Sequence, residues 1–371
     1  MARFLIVSAS VGSGHARAAQ ALQAWIARDE PDAAVQHVDI LSFTGAAYRK
    51  AYTASYLQLA RRAPALWGYL YDLGDRKAPR FKPPRIVRAF DKLEFARFRQ
   101  FVGEFAPDCL LCTHFLPVQV LASSRRKTWA KFSIGLVVTD FYAHSFWAQP
   151  AADRIFLPNE ECLEELADRG LERGALSVTG IPVLPQFALT VPAQSARAKL
   201  GLGAGPVVLA MGGGWGGGGL EGVARDILTA GDATVMAVAG RDKGTLAALE
   251  KIKDSRLHAV GFVENIDEFM AAADVCVTKS GGLTTAECLA LGLPMLIPSP
   301  IPGQEERNAD YASEAGAALQ ARSPASLRMK LRSILGDGAL RARMREAAKA
   351  AGRPLAGREI VMQAGALTPQ C

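Results

Sequence analysis

Val277-Thr-Lys279-Ser280-Gly281-Gly282-Leu-Thr284-Thr285-Ala-Glu287 runs from β-branched residues through a glycine pair into helix formers. A strand, a glycine turn and a helix in that order leave the first helical amides unpaired, where an anion is stabilised. Gly281, Gly282 and those amides suit a diphosphate, with Lys279 and Ser280 just before them. Thr284 or Thr285 caps the helix or adds a hydroxyl. Glu287 is expected on the first helical turn, as an acceptor for a ribose diol or as a carboxylate that answers the helix dipole.

The same grammar recurs on both sides of this stretch. Strand candidates are Phe4–Ser8, Val35–Ile40, Cys109–Thr113, Ile134–Thr139 and Arg154–Leu157, then Val207–Met211, Thr234–Ala239, His258–Val260, Val275–Thr278 and Met295–Ile297. Alanine-rich helical stretches such as Ala16–Ala27 and Leu220–Thr229 follow most of them. This is the α/β pattern of parallel sheets covered by helices. A chain of 371 residues exceeds the roughly 250–300 at which one core stops growing, so two domains are expected. The Pro- and Gly-rich run from Ile181 to Pro206 is the expected linker. The expected division is 1–185, 186–345 and 346–371, the last being helices that return to the first domain. Two doubly wound domains are expected to face a shared cleft with the carboxyl ends of their strands.

Half the residues are apolar (50%) and 21% are charged, which excludes a disordered chain. No charge-free stretch of about 18 residues is present to span a membrane. The start reads as no signal peptide, and six cysteines make no disulfide framework, so a reduced, cytoplasmic protein is expected. Cys109-Leu-Leu-Cys112 lies in an apolar run and reads as a buried strand rather than a zinc or redox pair. The 43 Lys and Arg exceed the 36 Asp and Glu by +7. Between Arg76 and Arg99 there are nine basic residues and two acids, with Trp67, Tyr69 and Tyr71 just upstream. Read as a helix, this run puts Arg85, Arg88 and Lys92 on one side and Ile86, Phe90 and Leu93 on another. A solvated surface helix competes with attraction to an anionic membrane surface. Nucleic acid is disfavoured, because no reading motif accompanies the run.

Three further places bear on chemistry. Gly12-Ser-Gly14-His15 follows the first strand. Dinucleotide binding fits Gly12, Gly14 and Asp39, but Arg17 stands where a third glycine is needed. His15 there is either a helix cap or a base that takes a proton from an acceptor. Seven glycines fill the eight positions from Gly212 to Gly219; Gly212, Gly213 and Gly214 would let a phosphate approach the backbone. Phe262 and Val263, after a strand, suit a planar base, and Gln304 and Glu305 suit sugar hydroxyls.

These segments together resemble a glycosyltransferase family. The Lys279–Glu287 run and Pro302-Gly-Gln-Glu-Glu-Arg-Asn308 are similar to the carboxyl-terminal half of family 28 glycosyltransferases, which include the peptidoglycan GlcNAc transferase of the lipid II pathway. Gly12-Ser-Gly-His15, Thr139-Asp140-Phe-Tyr-Ala-His144-Ser-Phe-Trp147, Pro158-Asn-Glu160 and Thr179-Gly-Ile-Pro-Val183 resemble monogalactosyldiacylglycerol synthases and diacylglycerol glucosyltransferases. The resemblance implies a GT-B fold of two Rossmann-like domains. It implies a UDP-sugar donor, with Glu287 on the ribose, Gly281, Gly282 and Thr284 on the diphosphate, Phe262 and Val263 at the uracil, and Gln304 and Glu305 on the hexose. His15 would face the acceptor hydroxyl, with Asp140 and His144 nearby. Leu184 and Pro185 stand near the position where such families often carry an Arg, so Arg241 or Lys279 would supply the cation.

The implied reaction is a single inverting displacement from a UDP-sugar to a lipid hydroxyl, most readily diacylglycerol, at the inner face of the cell membrane. No Asp-x-Asp occurs in the sequence, so no metal or other cofactor is expected. A lipid-linked GlcNAc transferase, a UDP-sugar epimerase and a non-catalytic UDP-sugar sensor are the alternatives.

Overall fold

All five residues after Arg3 in the strand Arg3–Ser8 are buried, as a parallel strand covered on both faces requires. The computed structural model describes residues 2–50, 52, 94–124, 131–189, 191–212, 219–300 and 302–367. The expectations for Trp67, Arg85, Arg88, Lys92, Gly213 and Gly214 lie outside the described residues. The chain divides into two units. One comprises Met1–Pro185, Pro302–Gln304 and Arg353–Cys371; the other comprises Gln186–Ile301 and Glu305–Gly352.

The first unit runs β1 (Arg3–Ser8), α1 (Ser13–Asp29), β2 (Ala34–Asp39), α2 (Ala96–Phe105), β3 (Cys109–Cys112), α3 (Phe115–Ala122), β4 (Ser133–Val137), β5 (Arg154–Leu157), α4 (Glu160–Asp168) and β6 (Leu176–Val178). Its strands are all parallel, in the order β2-β1-β3-β4-β5-β6. The sheet therefore grows one way from β1 to β2 and the other way from β3 onward. Loops leaving β1 and β3 diverge, and the crevice between them is where such sheets take ligands. Cys109 and Cys112 are buried in β3, and burial pushes the Cys109 thiol up to about 12.

The second unit repeats the architecture. It runs α5 (Ala193–Lys199), β7 (Val207–Met211), α6 (Gly219–Ala230), β8 (Thr234–Val238), α7 (Lys243–Glu250), β9 (Leu257–Val260), α8 (Ile266–Ala272) and β10 (Val275–Thr278). Then follow α9 (Gly282–Leu291), β11 (Met295–Pro298), α10 (Gln304–Glu314), β12 (Ala318–Ala321), α11 (Pro324–Gly336) and α12 (Gly338–Ala351). The order β12-β11-β10-β7-β8-β9, again parallel, reverses between β7 and β10. Gly212 after β7 and the Lys279–Gly281 turn after β10 leave the sheet at that reversal.

All ten expected strands are present, with ends shifted by two residues at most. Two others, β6 and β12, escaped the reading. Both are short edge strands with half-buried positions, so neither shows a run of buried apolar residues. Helix α12 stays with the second unit as a whole, which moves the return to the first unit from the expected 346 to Arg353.

The final helix, α13 (Ala356–Ala366), packs on α1 in the first unit. A Cβ on Gly357 would lie 2.3 Å from Trp25 Cδ1, so the glycine is what lets the helix rest against the indole. Trp25 Nε1 in turn donates to the Val183 carbonyl at 2.8 Å.

Candidate active site

Helix α1 begins after Gly12, whose backbone is extended and whose place at the helix start no side chain caps. His15 is its third residue. His15 Nδ1 lies 2.7 Å from the Thr113 carbonyl oxygen, just past the end of β3. A carbonyl only accepts, so Nδ1 carries the proton, and in the neutral ring Nε2 holds the lone pair. Thr139 Oγ1 lies 3.1 Å from the same Nδ1, and Thr113 Oγ1 donates to the His15 carbonyl at 2.8 Å. Residues from two strand ends, Thr113 after β3 and Thr139 after β4, thus fix one imidazole at the first unit's topological reversal.

Burial pulls the His15 pKa below the ordinary histidine value, while the Asp140 carboxylate and the Thr113 hydrogen bond act against that shift. The positive end of α1 also disfavours a second proton. His15 is therefore neutral near pH 7 and able to take a proton at Nε2. His114 packs edge-on against it, with ring centroids 4.7 Å apart. Burial, and then the neighbouring His15, push the His114 pKa well down. His114 Nδ1 accepts from Leu116 N at 3.1 Å and caps α3.

Asp140 follows β4 and accepts from Gln304 Nε2 at 3.2 Å. His144 is placed differently from the expectation of a catalytic residue. It is buried, and its Nδ1 caps the 3-10 turn Ser145–Trp147 by accepting from Phe146 N at 3.2 Å. That leaves His15 as the imidazole with its acceptor nitrogen uncommitted to capping. Asp39, the residue a dinucleotide ribose would need, instead accepts from Ser10 N and Leu41 N through Oδ1.

In the second unit, Gly281 precedes α9 in extended conformation, and no side chain caps the helix. Thr285 N reaches the Gly281 carbonyl at 2.9 Å, which leaves the amides of Gly282, Leu283 and Thr284 as the helix's unpaired donors. No acid lies in this first turn, so the positive end is not answered from within the helix. Glu287 falls on the second turn rather than the first, and is only 5% exposed. Thr285 is buried, and its Oγ1 makes no hydrogen bond among the described residues.

The turn after β10 is tied to the start of α10. Ser280 Oγ donates to the Glu305 carbonyl at 2.5 Å, and Lys279 Nζ lies 3.4 Å from Glu305 Oε1. The carboxylate expected to meet a hexose therefore also holds the cation beside the helix end. Arg241, the other candidate cation, sits past β8 with its guanidinium 4.5 Å from the centroid of the Phe262 ring. Phe262 is 53% exposed, past the end of β9. Val263 is half-buried beside it, and Gly212 follows β7. Lys279 lies at the sheet reversal, between β10 and α9, and Arg241 does not.

Thr113, Thr139 and His114 escaped the sequence reading as site residues. They stand 98, 124 and 99 positions from His15, and only the order of strands in the sheet brings them together.

Residues 15–183 match the family model of monogalactosyldiacylglycerol (MGDG) synthase, and residues 229–358 match that of the glycosyltransferase family 28 C-terminal domain. The chain carries a region similar to each of these two models, and it is a glycosyltransferase. A processive diacylglycerol beta-glucosyltransferase of Bacillus subtilis (strain 168) is 27% identical over 345 residues, 90% of this chain and 87% of the relative. Among solved structures, an S. aureus MnaA–UDP co-structure matches 97% of the transferase and 95% of its own chain at a TM-score of 0.65 and 15% identity. Acinetobacter baumannii MurG matches 99% of the transferase and 100% of its own chain at 0.63 and 14% identity. At such identities the likeness speaks to the fold, which is GT-B. Among the described residues, no helix of this transferase is long and apolar enough to cross a membrane.

Proposed function

We propose that the transferase moves a hexose from a UDP-sugar to the hydroxyl of diacylglycerol, with inversion, to give a β-glycosyl lipid. The observation that carries this reading is His15, whose Nδ1 is bonded to the Thr113 carbonyl so that Nε2 is left as a base. The acceptor hydroxyl gives its proton to that nitrogen as its oxygen bonds to the sugar's anomeric carbon. The bond from that carbon to the diphosphate oxygen breaks, and UDP leaves with the electron pair. Asp140 stabilises the imidazolium that forms, and its raising influence on His15 has the sign this needs. The amides at the start of α9, with Lys279, stabilise the leaving diphosphate, a placed electrostatic role of the kind that dominates many such reactions. Gly212 and its glycine-rich neighbours leave room for phosphate. Ser280, Thr284 and Thr285 line the same turn, Glu287 takes the ribose, Phe262, Val263 and Arg241 take the base, and Gln304 and Glu305 take the hexose.

The printed name of the Bacillus subtilis relative supports the diacylglycerol acceptor, and the UDP in the MnaA co-structure supports the nucleotide. The basic run between Arg76 and Arg99 supports peripheral attachment to the anionic inner face of the cell membrane. Because helix amides and a lysine replace a cation at the diphosphate, turnover needs no metal.

The test is incubation with a panel of UDP-sugars and diacylglycerol vesicles in EDTA, followed by mass analysis of the lipids. A sugar-bearing lipid and free UDP are expected from one donor. No such lipid from any donor, with or without added Mg²⁺, overturns the reading. Scrambling of the sugar without lipid would identify an epimerase, and UDP-sugar binding without turnover would identify a sensor.

A further inference from the structure

We propose that the stacked rings of Phe115 and Phe146 form an acyl-chain subsite beside His15, which selects the acceptor by its hydrocarbon. This rests on the lipid-acceptor reading and adds the residues that would impose it. Phe115 opens α3 immediately after His114, and Phe146 sits in the turn Ser145–Trp147 beyond β4. Their rings stack with centroids 5.1 Å apart and planes at 29°. Phe115 also lies 4.2 Å from His114, which in turn lies 4.7 Å from His15. Successive ring contacts thus join His15 to Phe146 in one line of neighbours.

Burial changes along that line. His114 and Trp147 are buried, the latter at 3% exposure, whereas His15 at one end and Phe115 and Phe146 at the other are each half-buried. Trp147 meets Phe115 edge-on at 6.0 Å and so connects the pair to the core. The turn that carries Phe146 is held through its backbone: its N–H donates to His144 Nδ1, and its carbonyl accepts from Gln149 Nε2 at 2.8 Å. A polar side chain at 146 would satisfy that turn equally well. A phenylalanine left half in water is instead suited to cover apolar surface that arrives from outside.

The chemistry of the acceptor supplies such a surface. A diacylglycerol whose hydroxyl reaches His15 Nε2 brings ester carbons and the first methylenes of its chains within a few bond lengths. Two phenyl rings offer no hydrogen-bond donor or acceptor, so they match hydrocarbon rather than the hydroxyls of a sugar. Each methylene taken out of water is worth about fourfold in affinity, so a few contacts suffice to rank acceptors.

The test compares kcat/KM for dihexanoyl-, dioctanoyl- and didecanoylglycerol at fixed surface fraction in mixed micelles. The wild type is expected to gain with chain length. Phe146→Ser is expected to flatten that gain and to lose about tenfold on the longest acceptor, while Phe146→Leu keeps most of it. Unchanged circular dichroism and thermal melts, with UDP affinity by calorimetry retained, report that both units are folded in each variant. Phe115→Thr supplies a second polar variant should Phe146→Ser fail to fold. An unchanged chain-length dependence in either folded polar variant overturns the subsite. A wild type that glycosylates no diacylglycerol overturns the proposed function instead, so the two failures are distinguishable.

Discussion

His15 is held at both its backbone and its ring by Thr113, and in the proposed reaction its titration would set the acid side. Protonation removes the lone pair, and burial has lowered the pKa. The base form therefore persists below the ordinary histidine range, and activity is lost only as the pH falls through that lowered value. Asp140 is the charge that opposes the shift. Asp140→Asn is expected to move the acid limb of the kcat profile further down in pH, besides slowing turnover at pH 7. A limb that moves up would mean that another group titrates there. His15→Gln is expected to cost about 10²–10⁴ in kcat with UDP affinity retained, as read by single-turnover kinetics and calorimetry. His15 was legible in the sequence because a glycine turn after a strand announces a ligand-facing helix start. Its partners Thr113 and Thr139 were not, since periodicity says nothing about which strands become neighbours. The capping role of His144 Nδ1 was not legible either, because a histidine in a polar loop looks the same whether it faces solvent or caps a turn.

At the scale of elements, α9 leaves its own stability unimproved where it would bind phosphate. Gly281 has open space around the position of a Cβ and a φ of −64° that any residue adopts. Gly281→Asp is therefore expected to cap the helix and answer its dipole, raising stability by about 0.5–1 kcal/mol. The same carboxylate would occupy the donor amides and repel the diphosphate, so UDP affinity should fall more than tenfold. Thermal melts and calorimetry on one variant read both effects. A variant that gains stability and keeps UDP binding would show that the diphosphate does not use this helix end. Central elements were the most legible ones: β7 and β10 are runs of buried β-branched and aliphatic residues. Strands β6 and β12 were not, because Leu-Ser-Val and Ala-Leu-Gln-Ala hold one β-branched residue between them.

For the whole molecule, the division into two α/β units follows from length and from the Pro- and Gly-rich run, whereas the return of the chain to the first unit shows in contacts such as Arg358–Asp29, Ser177–Gln363 and the close seat of Gly357 on Trp25. An alanine at Gly357 gains about 1 kcal/mol of helix propensity but presses on Trp25, and overpacking of this kind costs about 1–3 kcal/mol. At Gly365 a Cβ would meet Phe4 at an ordinary 4.0 Å. Gly357→Ala is expected to lower the urea midpoint and Gly365→Ala to raise it, with tryptophan fluorescence as the readout. Two shifts of the same sign would remove the indole contact as the reason for the glycine.

The seat of α13 against Trp25 also sets an order of events at the ribosome. The first unit is left unfinished at Pro185, and its last helix is made only after the second unit has been translated. At about 5–20 residues per second, the face of α1 that receives Gly357 waits on the order of ten seconds for its cover. The second unit is the first to have all its residues, and the amino-terminal unit is closed by the end of the chain.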